Sequence, residues 1–314
     1  MSILRTLPVL AITTLLAACG QDSAPSPDAP AEAASNALAA TDTVHEFAIG
    51  ELRAFALKDG GFVLPNDNKT IAVGRSPEDV ATLLSAAGAS ATELSLSIQP
   101  LLVQAGDKVL LFDTGAGSGA GENAGRLVAS MKEVGIEPGS VTDIFISHGH
   151  GDHVGGLVDA NGALVFANAT VHLSAPEWDA MSSTTANDSN RAALVRAIEP
   201  KVETFAPAAQ IVPDLVKAVE IKGHTPGHSG YLITSGEASL LYIGDTAHHY
   251  IVSVQEPEWT IQFDLDAPTA QASRKELIAE SADSEQRIYA VHFPFPGLGR
   301  FSRRDDRFFW RPEE

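Results

Sequence analysis

The segment that decides the fold reads Asp143-Ile144-Phe145-Ile146-Ser147-His148-Gly149-His150-Gly151-Asp152-His153-Val154-Gly155-Gly156. A short apolar run of strand character, Asp143 to Ser147, delivers four metal-competent side chains within six residues. Buried together and unpaired they would cost several kcal/mol, so they need cations. On extended backbone His148 and His150 point the same way, being two residues apart. The glycines at 149 and 151 let the chain turn and bring Asp152 and His153 to a second point. Neutral imidazole and carboxylate suit zinc ahead of iron or manganese.

Working outward, further apolar runs bounded by turn residues predict strands over 96–104, 108–112, 170–173, 218–221, 231–234, 240–243 and 287–292. Ala105-Gly106-Asp107 reads as a hairpin turn. Helical periodicity is expected over 124–134, 191–198 and 269–282, the last with Pro268 near its first turn. Paired strands followed by crossover helices favour two packed sheets covered by helices over a doubly wound sheet. Three more potential ligands fall at strand ends: His228 in the loop Gly223-His224-Thr225-Pro226-Gly227-His228-Ser229-Gly230, Asp245 in Ile243-Gly244-Asp245-Thr246, and His292 in Ala290-Val291-His292-Phe293-Pro294. Each is weak alone. With the first cluster they make a set of seven.

Together with Leu111-Phe112-Asp113-Thr114-Gly115 upstream, these motifs in this order resemble the metallo-β-lactamase-fold hydrolases, over about 44–301. The resemblance implies an α/β fold, a four-layer αββα sandwich, with a dinuclear metal site at one edge of the sheets. Carried over by position, it implies that His148, His150 and His228 hold one metal, that Asp152, His153 and His292 hold the other, and that Asp245 bridges them. Asp113 resembles the family's buried aspartate beside the site, which is not itself a ligand. Two divalent ions are implied, zinc first, with Mn, Fe or Co also compatible with His/Asp donors. Zinc β-lactamases place Cys or Ser where Asp245 stands, and the di-iron oxygen reductases place Glu where His150 stands. Small acyl-homoserine lactonases carry Tyr where this chain has His248. The stretches Lys58-Asp59-Gly60-Gly61-Phe62, Gly244-Asp245-Thr246-Ala247-His248, Phe263-Asp264-Leu265-Asp266 and His292-Phe293-Pro294-Phe295-Pro296-Gly297-Leu298-Gly299 look instead like the methyl parathion hydrolase and broad lactonase branch.

The resemblance thus implies a dinuclear metallohydrolase that opens lactones or cleaves carboxylic esters, with quorum-quenching lactonase activity as one form. An organophosphate or aryl ester hydrolase is the alternative, and a non-catalytic metal-binding lipoprotein a more distant one. A cation pair lowers the pKa of a bridging water, so hydroxide is available near pH 7 for attack on the carbonyl. Asp152, Asp245 and His248 are the candidate catalytic residues, and Trp178, Phe293 and Phe295 are the expected pocket aromatics for an apolar acyl or aryl group.

Composition agrees with this class of substrate. With 21 Lys+Arg against 40 Asp+Glu in 314 residues, the net charge of −19 argues against nucleic acid and against highly anionic substrates. A small neutral or apolar lactone or ester is the expected partner. A single cysteine excludes an intrachain disulfide. That residue, Cys19, follows Arg5, an apolar run from Leu7 and the ending Leu16-Ala17-Ala18. The run is far shorter than the roughly 20 residues of a membrane span, so 1–18 reads as a signal peptide. Leu-Ala-Ala-Cys resembles a bacterial lipobox, which implies lipidation at Cys19. Gly20, not Asp, follows it and favours the outer membrane, facing the periplasm. Residues 19–43, poor in large apolar side chains, read as a disordered tether. One hydrolase domain is expected over 44–314, with the membrane contacted only through the lipid.

Overall fold

The computed structural model describes residues 41–118, 120–183 and 188–313, all within the unit Ala37–Glu314. The signal peptide, Cys19 and the tether up to residue 40 lie outside the described residues. No helix among the described residues is long and apolar enough to cross a membrane.

Two seven-stranded sheets form the middle of an αββα sandwich. The first sheet runs, in spatial order, Val44–Ile49, Leu52–Leu57, Leu101–Ala105, Lys108–Phe112, Asp143–Phe145, Thr170–Ser174 and Val202–Phe205. The second runs Gln210–Val212, Val216–Glu220, Ser229–Ser235, Ala238–Tyr242, Ile288–Tyr289, Leu298–Arg304 and Arg307–Pro312.

The period of two along each strand explains the layers. In Lys108–Phe112, Leu110 and Phe112 face the other sheet and meet Tyr231 and Tyr242 between the layers. Leu111 faces outward, into a core closed by Leu127 and Met131 of helix Leu127–Glu133 and by Ile198 of helix Ser189–Ile198. The second sheet repeats the scheme. Its outward Leu241, Ile243 and Ile288 are covered by Leu277 and Ile278 of helix Ala267–Asp283. The Asp266 side chain caps that helix and a proline sits in its first turn. Strands buried on both faces read as continuous apolar runs, which is why most were legible.

The expected strand 96–104 is instead two. Glu93–Ile98 pairs with Gly60–Pro65 in a separate ribbon, while Leu101–Ala105 enters the first sheet. The break falls at Gln99-Pro100. Proline has no N–H for a ladder, and the buried Gln99 amide turns aside to donate to the carbonyls of Ala290 and Phe293. The ribbon belongs to an outlying piece with its own small core. There Leu94, Ile71, Val80 and Leu84 meet Ile251, Val252 and Ile261, with Phe263 against the edge.

The parallel strands set the site. Lys108–Phe112, Asp143–Phe145 and Thr170–Ser174 run parallel, and so do Ala238–Tyr242 and Ile288–Tyr289. The loops carrying the His148 cluster, Asp245 and His292 therefore leave carboxyl ends of strands, where such sheets leave a crevice for ligands.

Candidate metal centre

Three ring nitrogens converge on one point. His148 Nε2 lies 2.9 Å from His150 Nδ1 and 3.1 Å from His224 Nε2, and the last two are 3.2 Å apart. Asp245 Oδ2 completes this group, 3.5 Å from His148 Nε2 and 3.3 Å from His224 Nε2. The other oxygen of Asp245 faces a second group. Asp245 Oδ1 is 3.1 Å from His153 Nε2 and 3.0 Å from His292 Nε2, and Asp152 Oδ2 lies 3.7 and 3.5 Å from the same two nitrogens. The structure thus brings together six of the seven expected ligands and adds His224 to them: His148, His150 and Asp245 gather with His224 in one group, and Asp152, His153 and His292 form the other.

The exception is His228, and the correction is His224. His228 Nε2 accepts the backbone N–H of Asp245 at 2.9 Å, and Nδ1 faces the Ile221 carbonyl at 3.3 Å. Both nitrogens are spent on main chain, so no lone pair is left for a cation. His228 instead shapes the turn that presents Asp245. Gly244 is needed there, at φ +49°, because a Cβ would stand 2.6 Å from His228 Nε2.

The rings are oriented from behind, as metal-ligating histidines are. Asp113, at φ +58°, accepts from the Ser147 N–H and hydroxyl, from His153 Nδ1 at 2.6 Å and from the Tyr242 hydroxyl at 2.7 Å. Those contacts join both sheets beneath the site, and Asp113 stands in neither ligand group. The Ser97 carbonyl takes His292 Nδ1 at 2.7 Å. Asp264 Oδ1 takes His224 Nδ1 at 2.9 Å.

Two further positioning residues carry no motif in the sequence. Buried Glu177 accepts the N–H groups of Gly149 and Gly227 and the Thr225 hydroxyl, tying the His148 loop to the His224 loop. Buried Arg274 donates to Asp264 Oδ2 at 2.6 Å and to the carbonyls of Thr246, Pro257 and Trp259. It holds both the carboxylate behind His224 and the turn that carries Asp245. Arg274→Met is therefore expected to weaken metal binding on the His224 side about 10–100-fold in chelator competition, with the Asp152 side less affected. Arg274→Lys should recover only part of this, since a point charge cannot span four acceptors.

The charge balance fits cations. Burial holds His148 well below its ordinary pKa, and burial together with the neighbouring His224 brings His150 down to about 4, so both rings are neutral donors. Burial also works against charge on His224, yet its hydrogen bonds to Asp245 and Asp264 carry it up to about 9. His292 is raised in the same sense, with Asp245 overriding burial. The upward push on both rings reflects carboxylate charge that a cation would satisfy. His153 Nε2, Asp245 Oδ1 and both ring nitrogens of His248 are buried and, despite close approaches to one another's groups, make no hydrogen bond of proper geometry, an arrangement that is costly unless ions occupy it.

Over the cluster lies a cavity of about 300 Å³ lined by Phe62, His150, Gly151, Asp152, Asp245, His248, Phe263 and His292. Phe62 stands 6.0 Å from the His292 ring and Phe263 5.6 Å from His248, centroid to centroid. The expected pocket aromatics are elsewhere. Trp178 packs on the outer core of the first sheet. Phe293 is fully buried in the outer core of the second, edge-on to Trp310. Phe295 rests against the core between the sheets and lines a different groove. Aromatic side chains next in sequence to a ligand on a strand end point into the layers. The wall is supplied by Phe62 and Phe263 from separate segments, both within stretches singled out by the resemblance.

The profile of the Metallo-beta-lactamase superfamily matches residues 97–292. Among solved structures, AidC, described as a dizinc quorum-quenching lactonase in complex with the product N-hexanoyl-L-homoserine, is similar at 30% identity and TM-score 0.80, covering 87% of this chain and 98% of that one. The hydrolase AbOPH of the beta lactamase superfamily is similar at 26% identity and TM-score 0.78, covering 88% of this chain and 99% of that one. An N-acyl homoserine lactone hydrolase with N-hexanoyl-L-homoserine at its catalytic metal center shares the fold, at 21% identity and TM-score 0.55, with 82% and 99% covered. A search of curated protein sequences found no match. The chain belongs to the metallo-beta-lactamase superfamily. Within it, the protein is a metal-dependent hydrolase with a His/Asp centre suited to two divalent ions.

Proposed function

We propose that this protein opens lactones or cleaves carboxylic esters bearing an apolar group, acyl-homoserine lactones foremost. The observation that carries the reading is the small cavity over the two ligand groups, closed by Phe62 and Phe263 and free of lysine and arginine. It admits a neutral ester carbonyl and gives its apolar substituent an aromatic wall. The similarity to AidC supports the same substrate class.

Zinc or a similar ion at each group would supply an ionised water near neutral pH and polarise the ester carbonyl. The protein's own residues do the rest. His148, His150 and His224 on one side and His153, His292 and Asp152 on the other would hold the ions, and Asp245 faces both groups, Oδ2 toward the first and Oδ1 toward the second. Water adds across the acyl C–O bond, its hydroxyl to the carbonyl carbon and its proton to the leaving oxygen. Asp152 is placed to carry that proton, because its side chain is 25% exposed whereas Asp245 is 4% exposed. His248 lines the cavity with Nε2 3.1 Å from Asp245 Oδ2 and can direct a ring N–H toward a substrate oxygen.

The test is a comparison of initial rates for the zinc-loaded protein on a long-chain acyl-homoserine lactone, an aryl ester and an aryl phosphotriester. A lactone rate far above the others is expected. Preference for the phosphotriester would establish the alternative, an organophosphate hydrolase, which the two phenylalanines lining the cavity also suit.

We further propose that the enzyme is anchored through lipid on Cys19 at the outer membrane, facing the periplasm. The lipobox-like ending and Gly20 support this. Cys19→Ser should abolish incorporation of labelled palmitate and move the protein from the membrane to the soluble fraction. Labelling or fractionation unchanged by that substitution would refute the anchor.

A further inference from the structure

A second, larger hollow adjoins the metal cavity. Its volume is about 970 Å³, and it shares Phe62 with the cavity over the ligands. Phe62 lines both spaces, and Ser97, whose carbonyl holds His292, lies in the wall of the larger one. Leu96, Tyr250 and Phe295 give the hollow apolar sides. Two cations, Lys58 and Arg126, share its lining with a single carboxylate, Asp42. That balance runs against a chain with 21 Lys+Arg and 40 Asp+Glu.

Lys58 is half-buried, and its backbone is fixed on both sides, its N–H to the Thr43 carbonyl and its own carbonyl to the Ser130 hydroxyl. Its ammonium lies 5.6 Å from the Phe295 ring centroid. Among the described residues it makes no ion pair. Arg126 spends one nitrogen on the Glu122 carbonyl and keeps its remaining donors. A half-buried ammonium over an aromatic face, without a carboxylate partner, is a ready receptor for an anion.

We propose that this hollow receives the far end of an elongated substrate whose ester carbonyl lies in the metal cavity, and that Lys58 and Arg126 select a chain ending in a carboxylate. The proposal rests on the hydrolase reading above and deepens it. The reacting centre is neutral and the chain beside it apolar, but the distal tip is anionic.

Two acyl-homoserine lactones of equal chain length, one ending in methyl and one in carboxylate, test this with the full-chain holoenzyme. The carboxylate-tipped lactone should have a kcat/KM about tenfold higher, the size of one charge-assisted hydrogen bond. Lys58→Met and Arg126→Met should each bring the ratio between the two substrates toward one, and raised salt should do the same. A ratio of one in the wild type, or a ratio untouched by both substitutions, would overturn the proposal. Calorimetric titration with the carboxylate-tipped open-chain acyl-homoserine separates the two readings. If neither lactone turns over, binding of that probe to the wild type and its loss in both variants would uphold the anionic subsite and refute the lactonase reading. Equal binding to wild type and variants would refute the subsite.

Discussion

Asp245→Ala is expected to empty both metal positions and to bring hydrolysis to background. Asp245 faces both ligand groups, one oxygen within 3.5 Å of two histidines of the first group and the other within 3.1 Å of two of the second. Its removal would take one donor from each group and leave the charge of two neighbouring cations less compensated. It also removes the negative charge that holds His153 and His292 toward protonation, in each case against burial. Metal analysis after dialysis, alongside the initial rate on the best substrate, checks this. A variant that retains two ions per chain and its rate would remove Asp245 from the centre.

The second large effect separates two histidines four residues apart. His224→Ala should leave no more than one tightly bound ion per chain and abolish turnover, since the ring supplies one of the four donors of its group. His228→Ala should keep two ions and show its cost in stability, of about 1–3 kcal/mol, because the buried Asp245 N–H loses its acceptor. Metal stoichiometry and thermal unfolding of the two variants decide the matter. The opposite pattern, with metal lost at His228 and kept at His224, would reverse the assignment.

That pair also marks where reading the sequence stops. The cluster from His148 to His153 was legible because its chemistry is local, with metal-competent residues and glycines packed into a strand end. Asp245 and His292 were legible as single residues closing apolar runs. The choice between His224 and His228 is made by partners far along the chain. Asp264, 40 residues on, claims His224 Nδ1, while the Asp245 backbone claims His228. Nothing in the loop Gly223 to Gly230 records either contact. Pocket aromatics failed for a related reason, since nearness in sequence to a ligand says little about which way a ring on a strand end points. Phe293 follows His292 and is buried on the other side of the sheet. The strand hairpin Val44–Ile49 and Leu52–Leu57 was also missed. On the edge strand three consecutive residues are only partly covered, which blurs the alternation that strand reading depends on.

The ribbon Gly60–Pro65 with Glu93–Ile98 has a consequence for how such an enzyme could evolve. The ions would be held by loops rooted in the two large sheets, whereas Phe62 sits on a ribbon that pairs with neither. A bond that joins the two, from His292 to Ser97, ends on a backbone carbonyl, which a residue of any type at that position would supply. Mutations in the ribbon can therefore remodel what the cavity admits while the ligand frame is inherited unchanged. Selection for a new substrate has a module to work on that is physically separate from the one that performs the chemistry.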